Sequence, residues 1–437
     1  MTMSYDDENR RETRLDIWAR GLTWFALLVS LVGFLGYYNS EGFVSPPPTM
    51  VLGLQLIALG GAALLLRTRL FVNFRGVVPL ILIAGWAAVT LLWADDPITG
   101  LRRWLLVFAP GILLCALAAR DPRPQQTFLW FTALVVVIAL TSTAFTVIVL
   151  VFHNLDTGGV TALGRLLIDL DGWTIGTAQG GRPYQFMDHR ISIPRFSGLT
   201  SNPNSMGLFA AIALISLCAI VKPRRNLLGA AIILTVGVVA MLVFASVSRA
   251  AIAMALTGIF IVVLLRTDRL GATRACAIIV IGLALALYAT TWITGASPDP
   301  GTNEVLELRE RAHVWLIAMQ FIGDVWTSGV GFGLTQEAVY GPLDLETAAH
   351  SVPLSMLLET GVVGMVLVLA CWFHPVFRTT SRGRDITATE IAVISLLIAL
   401  FVHQTVDSSV FRYHWAHFVF VYLLGASAGL AGPRTSE

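Results

Sequence analysis

The stretch "TFLWFTALVVVIALTSTAFTVIVLVF", residues 127–152, carries no charged side chain from end to end. The hydrocarbon core of a bilayer takes roughly 20 apolar residues of helix. This stretch is long enough to cross it. Before it stands the basic segment "RDPRPQQ", and after it the chain turns polar at "HNLDTGG". An apolar block between polar collars reads as a membrane span rather than as the amphipathic stripe of a soluble helix.

Outward from this block the same pattern recurs. Candidate spans fall at 20–38, 50–66, 76–94, 103–119, 127–152, 204–221, 226–245, 249–266, 274–295, 351–373, 388–406 and 413–431. The whole chain is 56% hydrophobic and 13% charged, against about 25% charged residues in soluble proteins. The expected fold is an all-α polytopic integral membrane protein of about 12 transmembrane helices. It forms a single membrane domain over 1–437, with tails at 1–19 and 432–437 and long loops at 153–203 and 294–350. The second loop holds an amphipathic stretch, "NEVLELRERAHVWLIAMQFIGDVW", expected as a helix along the membrane surface. It ends in the glycine-rich "TSGVGFGL".

An even span count puts both termini on one side. Loops on that side ("RTRLFVNFR", "RDPRPQQ", "KPRRN", "RTDRLGATR", "HPVFRTTSRGRD") and the two terminal segments hold 19 of the 29 Lys and Arg. The basic side is cytoplasmic, so both long loops are expected outside. The N-terminus shows no small-residue cleavage site after a short apolar core, and no cleaved signal peptide is expected. Cys115, Cys218, Cys276 and Cys371 all lie in apolar blocks and read as core residues, not as disulfides or metal ligands. Basic residues are scattered over many loops, so nothing points to nucleic acid.

Polar groups are costly inside a membrane, so their placement carries information. Ten arginines fall on the outer side, against the usual bias, and call for carboxylate partners or an anionic ligand. Three stretches stand out. In "PRFSGLTSNPNSMGLFAAIAL", residues 194–214, Arg195 precedes a turn-rich linker, and Asn202 or Asn204 is placed to cap the next helix. A helix N-terminus beside an arginine suits an anion, although an ordinary cap with a surface arginine fits the spacing equally well. In "FASVSRAAIAMAL", residues 244–256, Arg249 sits in a tight turn with no acidic neighbour. It is a ligand for phosphate or a simple lipid anchor. The third stretch runs from "RERAHVWLIAMQF" through the glycine turn to "AAHSVPLSMLLETGVVG". It places His350 where a polar loop meets an apolar helix. Histidine suits general-base work, and a histidine at a helix start is also a common structural residue. His403 and Asp407 are four apart and expected on one helical face. Asp95 and Asp96 read as a turn rather than a metal pair. No GxSxG, HExxH, Walker or Rossmann pattern occurs in a suitable context.

Together and in this order, "RFSGLTSNPNSMG", "SVSRAA", "RAHVW…GVGFG" and "AHSVPLSMLLETGVVG" resemble the O-antigen ligase and O-antigen polymerase superfamily of bacterial envelope glycosyltransferases. The upstream "WADDPITGLRRWL" looks like that family's span-end motif. The resemblance implies a C-type glycosyltransferase fold in the bacterial inner membrane, with both termini cytoplasmic and the site on the periplasmic face. It implies transfer of a glycan from undecaprenyl diphosphate to an acceptor hydroxyl, on lipid A–core for a ligase or on a second lipid-linked repeat for a polymerase. No cofactor and no metal are implied, and the reaction is inverting. Arg195 and Arg249, with Arg311, correspond to diphosphate-binding arginines and His350 to the catalytic base. Asn202, Asn204, His403 and Asp407 are placed to contact donor or acceptor. A polysaccharide or lipid transporter is the more distant alternative. Such a protein tends to carry ionisable groups at the midplane and two related halves, and neither is evident in the sequence.

Overall fold

The structure, a computed structural model, describes residues 5–38, 43–66, 76–156, 165–170, 173–186, 189–200, 202–221, 227–246, 248–266, 303–343, 345, 349–381 and 386–431; over 5–13, 37–38, 43, 149–156, 165–196, 227–228 and 303–312 it describes the backbone alone. The described helices are α1 (Tyr5–Val32), α2 (Pro48–Leu65), α3 (Val78–Val89), α4 (Pro97–Ala119), α5 (Pro124–Asp156), α6 (Pro203–Ile220), α7 (Leu227–Ala245), α8 (Arg249–Arg266), α9 (Asn303–Val325), α10 (Val352–Thr380), α11 (Ala388–Gln404) and α12 (Trp415–Leu430). Every expected span except 274–295 overlaps one of them, and that span lies outside the described residues; span 20–38 runs past α1, which ends at Val32 before a strand at Tyr37–Tyr38. The expected helix of the second long loop is α9.

Among the described residues, seven helices are long and apolar enough to cross a membrane: α1, α2, α4, α5, α6, α8 and α10. These suit a membrane-embedded protein. Helices α11 and α12 are apolar but have only 17 and 16 residues. Both are buried along almost their whole length. A helix apolar all round belongs in the interior, and one sheathed by protein is less bound to the bilayer's thickness. The core forms around them. Trp372 of α10 donates to the Leu397 carbonyl at 2.7 Å and packs on Phe420 with ring centroids 4.3 Å apart. On the other side, α4 approaches α12 at Gly425, where an added Cβ would meet the Cys115 carbonyl. Helix starts follow local chemistry. Proline occupies the first turn of α2, α4, α6 and α10, where its missing N–H costs nothing. Thr387 and Glu390 close a capping box on α11. Cys115, Cys218 and Cys371 are free thiols; Cys276 lies outside the described residues.

The all-α expectation named no strand, and the chain has a small antiparallel sheet. Strand β4 (Trp173–Phe186) is its centre. Its first half pairs with β3 (Arg165–Leu170), its second half with β5 (His189–Phe196), and Gly176 pairs with Tyr38 of β1 (Tyr37–Tyr38), which in turn pairs with β2 (Phe43–Val44). The first long loop is therefore built on a three-stranded meander. It is tied back by the Gly36 N–H, which donates to the Leu199 carbonyl at 2.8 Å.

Candidate functional site

The glycine-rich turn after α9 packs against a break in α10. Gly361 has φ 68° and ψ −173° inside that helix. A break deep in an apolar helix frees backbone groups that need new partners. The turn supplies them. The N–H groups of Val330 and Gly331 donate to the carbonyls of Leu358 and Glu359 at 2.8 and 2.9 Å, and the Val362 N–H donates to the Trp326 carbonyl at 2.7 Å. The Trp86 indole takes the Thr360 carbonyl at 2.7 Å. Gly329, at φ 71°, comes so close to Glu359 that a Cβ would lie 2.4 Å from its carbonyl, so no other residue fits there.

Side chains complete the joint. The Glu359 carboxylate is fully buried. It accepts from the Gly333 N–H at 2.8 Å, from the Thr335 hydroxyl at 2.6 Å, and from the Arg412 guanidinium. Arg103 of α4 donates to the Gly333 carbonyl and grips Glu337 with two bonds of 2.8 and 2.6 Å. Arg103's hydrogen bonds hold the Glu337 carboxyl below the ordinary glutamate value. Burial, aided by Glu359, pushes the Tyr340 phenol up to about 12, so it stays a neutral donor. The "WADDPITGLRRW" stretch meets the same turn: Trp93 donates to the Gly329 carbonyl at 3.2 Å. Asp96 caps α4 by accepting from the Thr99 N–H at 3.0 Å, the plain turn expected of it.

A second joint brings the other two stretches together. Asn202 is the N-cap of α6, its side chain accepting from the Ser205 N–H at 2.9 Å. One turn on, Gly207 faces the α7–α8 turn, where an added Cβ would lie 2.5 Å from the Ser246 hydroxyl and 2.8 Å from Ala251. Ser246 closes its own turn by donating to Val243 and accepting from the Ser248 N–H. Arg249 is the first residue of α8 and partly buried. Asn204 lies in the first turn of α6, partly buried. Helix α12 bridges the joints. Trp415 stacks on Phe209 of α6, with centroids 3.7 Å apart, and three residues earlier Arg412 holds Glu359.

His350 stands just before Ser351, the N-cap of α10, partly buried and with φ 47°. Its neighbour Ala349 is buried with Val314, Ile317, Val339 and Tyr340, and the Ala349 carbonyl accepts from the Trp315 indole at 2.7 Å. The backbone of Arg195 pairs with Gly180 near the end of β5, and Arg311 lies on α9; the side chains of both lie outside the described residues. The shared helical face expected for His403 and Asp407 is corrected. Helix α11 ends at Gln404, because the Gln404 side chain folds onto the following turn and accepts from the N–H groups of Ser409 and Val410. Asp407 therefore lies off the helix, yet it and His403 both come within electrostatic reach of His414.

Sequence reasoning passed over Glu359 and gave no role to Arg103 and Arg412. The one available signal was a lone glutamate within the apolar run "LSMLLETGVVG". Beside Arg103 and Arg412 lies a cavity of about 340 Å3, lined by both and by Phe332, Gln336, Phe411 and Tyr413 among others. No group of three metal-ligating side chains occurs among the described residues. Fold and site define a helical protein suited to a membrane, with two polar joints where α4, α6, α8, α10 and α12 begin. No protein-family model matches the chain, and no characterised protein is significantly similar to it in sequence.

Proposed function

We propose that the chain is a glycosyltransferase of the O-antigen ligase and polymerase kind. It moves a glycan from a polyprenyl diphosphate to an acceptor hydroxyl at the face where α6, α8 and α10 begin. By the distribution of basic loops this is the periplasmic face of the bacterial inner membrane. The observation that carries the reading is convergence. Gly207 meets the α7–α8 turn, and Trp93 meets Gly329, 236 residues away in sequence, in two joints that Trp415 and Arg412 link.

In this reading Arg195 and Arg249, with Arg311, face the diphosphate. The acceptor oxygen attacks the anomeric carbon from the face opposite the diphosphate. The bond from that carbon to the diphosphate oxygen breaks, and the leaving group keeps the electron pair. Arginines stabilise this growing charge more in the transition state than in the ground state. His350 takes the acceptor hydroxyl's proton and returns it to solvent after release. Its left-handed backbone stores strain of a kind that gathers at functional sites. Lipid A–core as acceptor makes the protein a ligase; a second lipid-linked repeat makes it a polymerase.

One observation favours a second reading, a transporter: α10 is broken beside a buried carboxylate, as discontinuous helices are in transporters. Against it, Glu359 is already bonded to a guanidinium, a hydroxyl and an amide. The deciding experiment incubates purified protein with a polyprenyl-diphosphate glycan and candidate acceptors and identifies products by mass spectrometry. Transfer is expected, with loss of about 10²–10⁴-fold in His350→Ala and no rescue by His350→Gln. Arg249→Ala is expected to abolish transfer, with poor rescue by lysine, which lacks the planar fork. Donor translocation across vesicles without any transfer would select the transporter.

A further inference from the structure

We infer that the cavity between α4, the Phe332–Gln336 segment and the Phe411–Tyr413 turn binds a neutral sugar unit. This deepens the transferase reading, from which the sugar's part in the reaction is taken; the class of ligand rests on the cavity alone. Charge decides first. Two guanidiniums line the space, but each already has its own carboxylate: Arg103 has Glu337 and Arg412 has Glu359. The two carboxylates are not among the lining groups but neutralise the arginines that are, so a diphosphate would have to compete with two formed ion pairs. A neutral polyhydroxylated ligand leaves both pairs intact.

Donors and acceptors come next. A guanidinium has five N–H donors. The bonds described use three of Arg103's and one of Arg412's, which leaves N–H groups directed by a fixed frame. Gln336 is held by its amide nitrogen, which donates to the Leu345 carbonyl at 2.7 Å, so its amide oxygen can accept. Tyr413, partly buried, is pinned by its hydroxyl, which donates to the Pro48 carbonyl at 3.2 Å. Its ring and Leu106 offer apolar surface for the C–H face of a sugar. A lipid chain in this space would strand the polar groups. Side chains held beforehand lose little freedom on binding, and about 340 Å3 lies within the range of small-ligand sites.

The backbone agrees. Apart from His350, Phe411 is the one non-glycine residue at positive φ among the described residues, at 58°. That is an unfavourable conformation for a bulky side chain. It is held by the His417 ring, which accepts from the Phe411 N–H at 3.4 Å, and by Gln404 on the preceding residues. Phe411 and Arg412 both line the cavity.

The test is saturation-transfer NMR on the purified full chain in nanodiscs, without donor lipid. The probe is a mixture of methyl glucoside, galactoside, mannoside and N-acetylglucosaminide. At least one glycoside is expected to show transfer. The signal should fall at least about tenfold in Leu106→Trp, which fills the cavity, and in Gln336→Leu, which removes the acceptor and covers the case of a tryptophan variant that does not fold. Inorganic pyrophosphate should not displace the sugar. The inference is overturned by a parent protein that saturates no glycoside, by signal that persists in a folded variant, or by displacement with pyrophosphate. A co-purified lipid that is lost on cavity filling, with no glycoside signal, overturns it too. Binding is read without turnover, so it stands if no transfer reaction exists and fails independently if transfer is found.

Discussion

Glu359 carries the largest consequence at the scale of a single residue. A buried carboxylate is tolerable only with its acceptor sites filled, and here an amide, a hydroxyl and a guanidinium fill them. Glu359→Ala leaves all three donors without their acceptor. Removing one partner of a buried pair costs about 3–5 kcal/mol, so the unfolding midpoint in detergent should drop accordingly, with a smaller drop for Glu359→Gln. An unchanged midpoint would mean that the broken helix stands without it. Glu337 is different, being well exposed, and its contribution to stability is small. Its folded-state pKa lies below the ordinary value of 4.5 because Arg103 bonds to it. That contribution is therefore present above about pH 4.5 and is lost as pH falls through the lower, folded value. Hydrogen exchange over 330–343, corrected for intrinsic rate, should rise in that acid window in the parent and stay flat in Glu337→Gln. The difference in legibility is one of range. The Asn202 cap could be read because its partner Ser205 is three residues away. Glu359 could not, because its partners at Gly333 and Arg412 lie 26 and 53 residues off.

At the scale of elements, hydropathy located the helices and missed what happens inside one of them. The run "VPLSMLLETGVVGMVLVLACWF" keeps its apolar character straight through Gly361, so periodicity has no means of marking the break. It follows from a tertiary event, the docking of residues 326–333, in which the loop replaces the lost helical hydrogen bonds. The strands were hidden for a related reason. β4 reads "WTIGTAQGGRPYQF", whose glycines and proline are poor strand formers, and only pairing on both halves makes it regular. Gly361→Ala tests the break. An alanine Cβ would lie 2.3 Å from the Thr327 carbonyl and would have to hold φ near 68°. The turn must then move. Transfer activity should fall by about tenfold or more, as for a displaced catalytic frame, while Gly237→Ala, a helical position with open space around it, should leave activity unchanged. Parent-like turnover in Gly361→Ala would show that the joint does not hold the site.

At the scale of the whole molecule, every short loop on the side of the N-terminus is basic, and the long loops fall on the other side. One span more or fewer would put basic loops on alternating faces, so the pattern tests itself at each crossing. Four positions sample it: in sequence Lys222 follows α6 and Arg382 follows α10, while Thr177 belongs to β4 and Asn303 opens α9. Lys222 and Arg382 are expected in the cytoplasm, Thr177 and Asn303 outside. The measurement is single-cysteine labelling in intact cells, after the four native cysteines have been replaced. A maleimide that cannot cross the membrane should modify Thr177→Cys and Asn303→Cys at once, and Lys222→Cys and Arg382→Cys only after lysis. A slower reaction at Thr177→Cys than at Asn303→Cys remains compatible, since Thr177 pairs with Leu166 in the sheet. Prompt labelling of Arg382→Cys in intact cells is not. It would turn the joints at Glu359 and Gly207 toward the cytoplasm, where a donor could be supplied as a soluble nucleotide sugar, and the lipid-diphosphate chemistry proposed for this face would lose its physical reason.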